Sequence, residues 1–181
     1  MKKKYWIIYL ILVFLVILDT SFFQYFRILE VKPNLSLVYV CLMGYFMDSH
    51  DSIFVGLTAG LLIDLLVGRV IGFYGLTYML AAFIIGILPK KIFWNNFIVA
   101  FIMSMSVIIS VEFLSYIISE IGTFLSGGID SLTLEPVQIM TRKILPEALY
   151  NIIVFIPLFF IANAISKYIN KDKGLMGNGS N

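Results

Sequence analysis

The sequence predicts an all-α fold, a polytopic bundle of about six transmembrane helices. Three observations predict it. Of 181 residues, 60% are hydrophobic and 13% charged, with a mean hydropathy of +0.97, whereas a soluble domain carries about 25% charged residues. The charges that exist fall between long apolar runs, and such runs need a solvent as apolar as lipid. Neither terminus offers a polar segment long enough to fold alone, so residues 1–170 read as one integral membrane domain. Residues 171–181 are polar and Gly-rich and are expected to form a disordered cytoplasmic tail.

The first apolar segment, Tyr5–Phe23, follows Lys2, Lys3 and Lys4. It ends in bulky Phe22, Phe23, Tyr25 and Phe26 without a small-residue cleavage site, so it reads as a retained helix rather than a signal peptide. The others are Leu35–Met47, Ser52–Val67, Phe73–Leu88, Phe97–Ile118 and Leu145–Ile165. Crossing a hydrocarbon core of about 30 Å takes roughly 20 helical residues. The first, fifth and sixth meet that length and the fourth nearly does. The second and third, about 20 and 24 Å of helix, are the two short central spans. Between them lies the polar turn Asp48–Ser52, with Asp51 or Ser52 placed to cap the third helix. A re-entrant pair is the alternative to two short spans.

Orientation follows from Lys and Arg placement. With six spans and the N-terminus in the cytoplasm, the inside receives Lys2, Lys3, Lys4, Lys90, Lys91, Lys167, Lys171 and Lys173, and the outside Arg27, Lys32, Arg69, Arg142 and Lys143. Eight against five of the chain's 13 basic residues place both termini in the cytoplasm. The longest connection, Ser119–Thr141, falls outside and reads as a mobile connector, or as a partly apolar segment on a membrane or partner surface.

The densest signal is the run from Gly56 to Gly72. Gly56, Gly60 and Asp64 recur every four residues and share a helix face. Glycines at that spacing let another backbone come close, making this face a helix-packing or partner interface. Gly68 and Gly72 permit a tight exit turn. A carboxyl at membrane depth costs at least about 2.5 kcal/mol, so Asp64 needs the interface, a partner or a cavity, with Arg69 in reach as a counter-ion. The alternatives are a cap or hydrogen bond to a neighbouring helix, a partner contact, or ion or substrate handling. Steric packing of the glycine face makes Gly60→Leu more damaging than Asp64→Asn. Three further polar residues lie in apolar runs: Glu112, on a face with Ser104, Ile108 and Ser115, and Glu147 and Asn151, one turn apart after Pro146. Asp19 lies one turn from the outer end of the first span, and Pro157 is placed to bend the last.

Nothing here assembles an enzyme. The one histidine, His50, reads as a solvated turn residue, and metal catalysis needs several ligands. Cys41 is the one cysteine, which excludes an intrachain disulfide and a cysteine metal cluster. No nucleophile-elbow, zincin or phosphate-loop motif occurs. No basic stripe points to nucleic acid. Neither a cofactor nor a metal is expected.

The run Gly56 to Gly72, centred on Gly60-Leu61-Leu62-Ile63-Asp64-Leu65-Leu66, resembles the signature of the bacterial rod shape-determining protein MreD family. The resemblance extends to Pro33-Asn34, to Leu145-Pro146-Glu147-Ala148-Leu149-Tyr150-Asn151 and to Pro157, and so covers nearly the whole chain. It implies a non-catalytic, multi-pass subunit of the cell-elongation complex in the bacterial cytoplasmic membrane. Its partners would be MreC and, more widely, MreB, RodA and a class B transpeptidase. The glycine faces, polar patches and absent active site agree with a scaffold bathed in membrane lipid. The alternative is a substrate-binding subunit of an energy-coupling-factor vitamin transporter, with a pocket lined by residues such as Trp6, Asn34, Glu112 or Asn151.

Overall fold

Away from water, an apolar segment can satisfy its own backbone N–H and C=O groups only as a helix. The computed structural model describes residues 2–25, 31–67, 72–87, 96–127 and 145–176. Helix α1, Lys2–Ile17, continues through a π-helical turn, Leu18–Phe22, into a last turn, Phe23–Tyr25. Then come α2 (Leu35–Phe46), α3 (Ser49–Leu66), α4 (Phe73–Ile87), α5 (Phe97–Gly127) and α6 (Leu145–Met176). α1 with its extension, α3, α5 and α6 are long and apolar enough to cross a membrane, while α2 and α4 are shorter.

The short pair is therefore the second and fourth helices, not the second and third. Asp48, in an extended conformation (φ −65°, ψ 148°), is the N-cap of α3, displacing the expected cap at Asp51 or Ser52. Ser49, His50 and Asp51 form its first turn, and α3 reaches 18 residues. Asp51, near the positive end of that helix, accepts a hydrogen bond from the Tyr5 hydroxyl at 3.0 Å.

α2 has 12 residues, about 18 Å of helix, and all 12 are buried. Its sequence is apolar on every side, the pattern of a helix enclosed by others. A helix that meets no lipid suffers no mismatch with bilayer thickness. Its own Tyr39 and Leu42 lie in the core with Tyr78, Ile108 and Phe155 of other helices, each at most 2% exposed. The faces turned away from α2 carry Leu10, Phe14, Leu65, Ile98, Ile153 and Phe160, apolar and exposed as lipid contact requires.

Two ends differ from expectation. α5 continues to Gly127, so the start of the expected outer connection, Ser119–Gly127, is helical. Residues 128–141 lie outside the described residues. α6 continues past Lys171, where the unstructured tail was expected to begin, to Met176; residues 177–181 again lie outside. Pro157 sits inside α6.

Contacts along the bundle fix the order of directions. α1 meets the base of α3 through Tyr5 and the start of α2 through Asp19. α3 and α4 form an antiparallel hairpin, with Gly60 against Tyr74 at one end and Gly86 against Ser49 at the other. α5 meets Tyr45 through Asn96 and Asn34 through Glu112, while α6 meets Asn34 through Asn151 and Phe46 through Ser166. Successive helices alternate in direction. The start of α1 and the far part of α6 thus share the end of the bundle that holds the α2–α3 turn.

Candidate functional site

The glycine face is filled from within the chain. A Cβ on Gly60 would collide with the carbonyl group of Tyr74, and one on Gly56 would lie 2.5 Å from the Tyr78 carbonyl oxygen. Both partners are backbone atoms of α4, which cannot swing aside. Gly44 on α2 and Gly86 on α4 extend the seam, with hypothetical Cβ contacts of 3.0 Å to Ala82 O and 2.9 Å to Ser49 Cα. Gly56 and Gly60 are therefore helix-packing residues, occupied by α4 and closed to another chain. Gly72 does different work, with φ +94° and open space around it. It turns the chain into α4 through a conformation that L side chains resist. Gly68 and Arg69 lie outside the described residues.

Asp64 ends the same face as a cap. It is 3% exposed. Its Oδ2 accepts from the backbone N–H of Gly72 (3.0 Å) and Gly75 (2.8 Å), and its Oδ1 from that of Tyr74 (3.0 Å). These N–H groups belong to the start of α4, where no intrahelical acceptor exists and the helix dipole favours negative charge. A carboxylate with three such donors needs no counter-ion, and the chemistry left to Asp64 is structural.

Asp19 repeats the device at the start of α2. It sits in the π-helical turn of α1, 4% exposed. Oδ1 accepts from Leu35 N (3.0 Å) and Oδ2 from Ser36 N (2.8 Å) and Ser36 Oγ (2.5 Å). A π turn inserts one residue into the helix and re-aims the turns beyond it. Lys32 Nζ donates to the Asp19 carbonyl oxygen at 3.0 Å, tying the incoming chain to the same point.

Asn34 is where the remaining polar residues meet. As N-cap of α2, its Oδ1 accepts from Leu37 N (3.2 Å) and from the Tyr78 hydroxyl (2.8 Å). Two donors on that oxygen fix the amide orientation. Nδ2 therefore turns to Glu112, with Oε1 at 3.5 Å. The Asn34 backbone N–H donates to Asn151 Oδ1 at 2.8 Å, which fixes that second amide as well. Helices α2, α4, α5 and α6 thus converge on one residue, and Asp19 of α1 joins them through Ser36. The sequence offers Asn34, Glu112 and Asn151 together only as candidate lining of a pocket in the alternative reading, and gives no sign of the part that Asp19, Ser36 and Tyr78 take. Tyr78 and Ser36 carry no motif.

This node is incompletely satisfied. Glu112 is half-buried within a membrane-crossing stretch. Its hydrogen bond among the described residues is the 3.5 Å contact with Asn34, at the limit of a useful bond. Asn151 is fully buried, and its Nδ2 has no partner among the described residues. Ser104 Oγ on α5 shares that condition. Glu147, one turn before Asn151, is buried in the first turn of α6, where the helix dipole favours it. His50 is exposed at the opposite end of the bundle. No group of three or more His, Cys, Asp or Glu side chains among the described residues is arranged to hold a metal.

Fold and site together define a helical membrane protein whose intramembrane polar groups serve mainly to join helices. The chain belongs to the rod shape-determining protein MreD family, whose model matches residues 1–169. Its family role is rod-shape determination, a structural task. No curated protein and no solved structure matches the chain.

Proposed function

We propose that this protein is a non-catalytic subunit of the bacterial cell-elongation complex, lying in the cytoplasmic membrane with both termini inside. It holds lateral wall synthesis in place by binding MreC, and through it MreB, RodA and a class B transpeptidase. The observation that carries the proposal is the family match over residues 1–169. The bundle supports it: the buried carboxylates Asp19 and Asp64 are consumed in capping helices. The outward excess of apolar side chains is what a subunit working within the membrane requires.

Depletion in a rod-shaped host tests the reading. The expected result is round or swollen cells, together with co-purification of MreC with the full chain from co-expressing membranes. Retention of rod shape after depletion, with MreC absent from the purified protein, would contradict it. A second reading is supported by one observation, the meeting of Asn34, Glu112 and Asn151 that a vitamin-binding subunit would use. It requires a small molecule retained through purification, and auxotrophy on depletion.

A further inference from the structure

The helices of this bundle start in two different ways, and the difference locates the bilayer. At α3 the N-cap residue Asp48 makes no capping hydrogen bond with its side chain, and His50 in the first turn is exposed. Water can serve the free N–H groups of such a start. At the start of α2 each N–H group from Asn34 to Val38 is served by protein. Pro33 has none to offer. Asn34 donates to the Asn151 side chain, Leu35 and Ser36 to Asp19, Leu37 to the Asn34 side chain and Val38 to the Asn34 carbonyl oxygen. The start of α4 is served likewise, by Asp64 through Gly72, Tyr74 and Gly75. These are the two short helices, and both start at the end of the bundle opposite the α2–α3 turn. Service by protein is what a helix start needs where water is absent. α1 supplies the scale. Trp6 is 74% exposed and Tyr25 89% exposed, and between them Leu10, Val13, Phe14 and Ile17 face outward. The 19 residues from Trp6 to Tyr25 make about 28 Å of helix, close to the roughly 30 Å of a hydrocarbon core. Trp and Tyr favour the two membrane–water interfaces. At the turn end, the Tyr5–Asp51 bond sets Trp6 beside the polar first turn of α3, and the Ser166–Phe46 bond sets exposed Lys167 and Tyr168 beside the end of α2.

We propose that the lipid bilayer meets the chain with one interface at Trp6 and Tyr168 and the other at Tyr25, so that α2 and α4 both start inside the hydrocarbon level. Asp19 lies six residues before Tyr25, about 9 Å beneath that interface. The 12 residues of α2, about 18 Å of helix, cover the remaining distance to the turn end. α2 is then a partial span, entered through the non-helical residues 31–34. Non-helical backbone at that depth is tolerated where protein shields it from lipid, and Val31 and Leu35 on either side are at most 7% exposed. The lipid-facing surface is the belt of apolar side chains between the two levels. The inference holds whichever end faces the cytoplasm and needs no partner protein.

The test attaches a nitroxide to one introduced cysteine at a time in the full chain: Trp6→Cys, Phe14→Cys, Ile17→Cys, Tyr25→Cys, Phe160→Cys and Tyr168→Cys. All six positions are exposed, so the labels leave the core intact. Cys41 is buried, and the unaltered chain carried through labelling gives its background. The protein is reconstituted in vesicles of phosphatidylethanolamine and phosphatidylglycerol. Depth is then read by electron paramagnetic resonance, from the relative access of oxygen and a water-soluble nickel chelate. Labels at 6, 25 and 168 should lie at the headgroup level. Those at 14, 17 and 160 should lie about 12 Å deeper than 6, 25 and 168 respectively, each being eight residues away along its helix. A label at 17 found at the headgroup level would put Asp19 and the start of α2 at the surface and overturn the proposal. Labels at 6 or 25 found as deep as that at 14 would also overturn it. Poor access of both oxygen and nickel at 14 and 160 would mean that a second copy of the chain, not lipid, covers the belt, and would overturn it as well. MreC is absent from these vesicles, so a failure here leaves the partner reading standing.

Discussion

The α3–α4 hairpin and the α5–α6 seam both carry a carboxyl within a long apolar helix, and they treat it in opposite ways. Asp64 is 3% exposed and accepts three backbone hydrogen bonds of 2.8–3.0 Å. Glu112 is half-buried and, among the described residues, accepts one of 3.5 Å. The hairpin is also closed sterically, since glycine lets the helices touch backbone to backbone. Beyond its phenylalanines the seam has no such closure. A fully satisfied carboxylate is part of the fold, while an under-satisfied one is left for something else. The two regions therefore differ in how much of a carboxyl's hydrogen-bonding capacity the fold uses, and substitutions in each should differ in their cost to stability.

The largest effect is expected at Gly60. In Gly60→Leu the added side chain meets the Tyr74 carbonyl, which is backbone and cannot yield. The expected cost is about 3 kcal/mol or more, seen as loss of monodisperse protein in detergent. Asp64→Ala comes next, because it orphans three N–H groups, that of Gly75 buried and those of Gly72 and Tyr74 part-buried, the buried one alone costing roughly 1–3 kcal/mol before relaxation. Asp64→Asn keeps an acceptor and should lose clearly less, measured as a shift in unfolding midpoint. Equal damage from the Asn and Ala changes would mean that charge, rather than capping, is what the site needs. Gly72→Ala meets no atom, and only the positive φ opposes it. About 1–2 kcal/mol is expected. Glu112→Leu should be the mildest, within about 1 kcal/mol of wild type, since it removes one long bond and a solvation burden.

Much of the fold is legible from hydropathy, because each helix is an apolar run ended by polar or glycine residues. Leu35–Met47 and Phe73–Leu88 match α2 and α4 to within a residue or so. The start of α3 escapes hydropathy for a local reason. Ser49, His50 and Asp51 look like a loop by composition, yet they form a polar first turn, with Asp48 in the N-cap position but no capping hydrogen bond from its side chain. The extra turns of α5 to Gly127 escape it because Ser119 and Glu120 break hydropathy without breaking a helix. The glycine face is legible as a packing surface, but not what packs on it. That needs the hairpin to fold back so that Tyr74 and Tyr78 come opposite Gly60 and Gly56. The polar node is the least legible. Asp19, Asn34, Glu112 and Asn151 come from four separate segments and share no spacing, so only the bundle brings them together.

The most direct test measures fold and function on the same two variants. Asp64→Ala and Glu112→Leu would each be expressed in rod-shaped cells depleted of the unaltered protein, with membrane abundance, unfolding midpoint and cell shape recorded together. The account predicts that Asp64→Ala is poorly folded and scarce. Glu112→Leu should accumulate close to wild-type levels, with a stability within about 1 kcal/mol of the unaltered chain. A Glu112→Leu protein as unstable as Asp64→Ala, or an Asp64→Ala protein as abundant and stable as the unaltered chain, would contradict it.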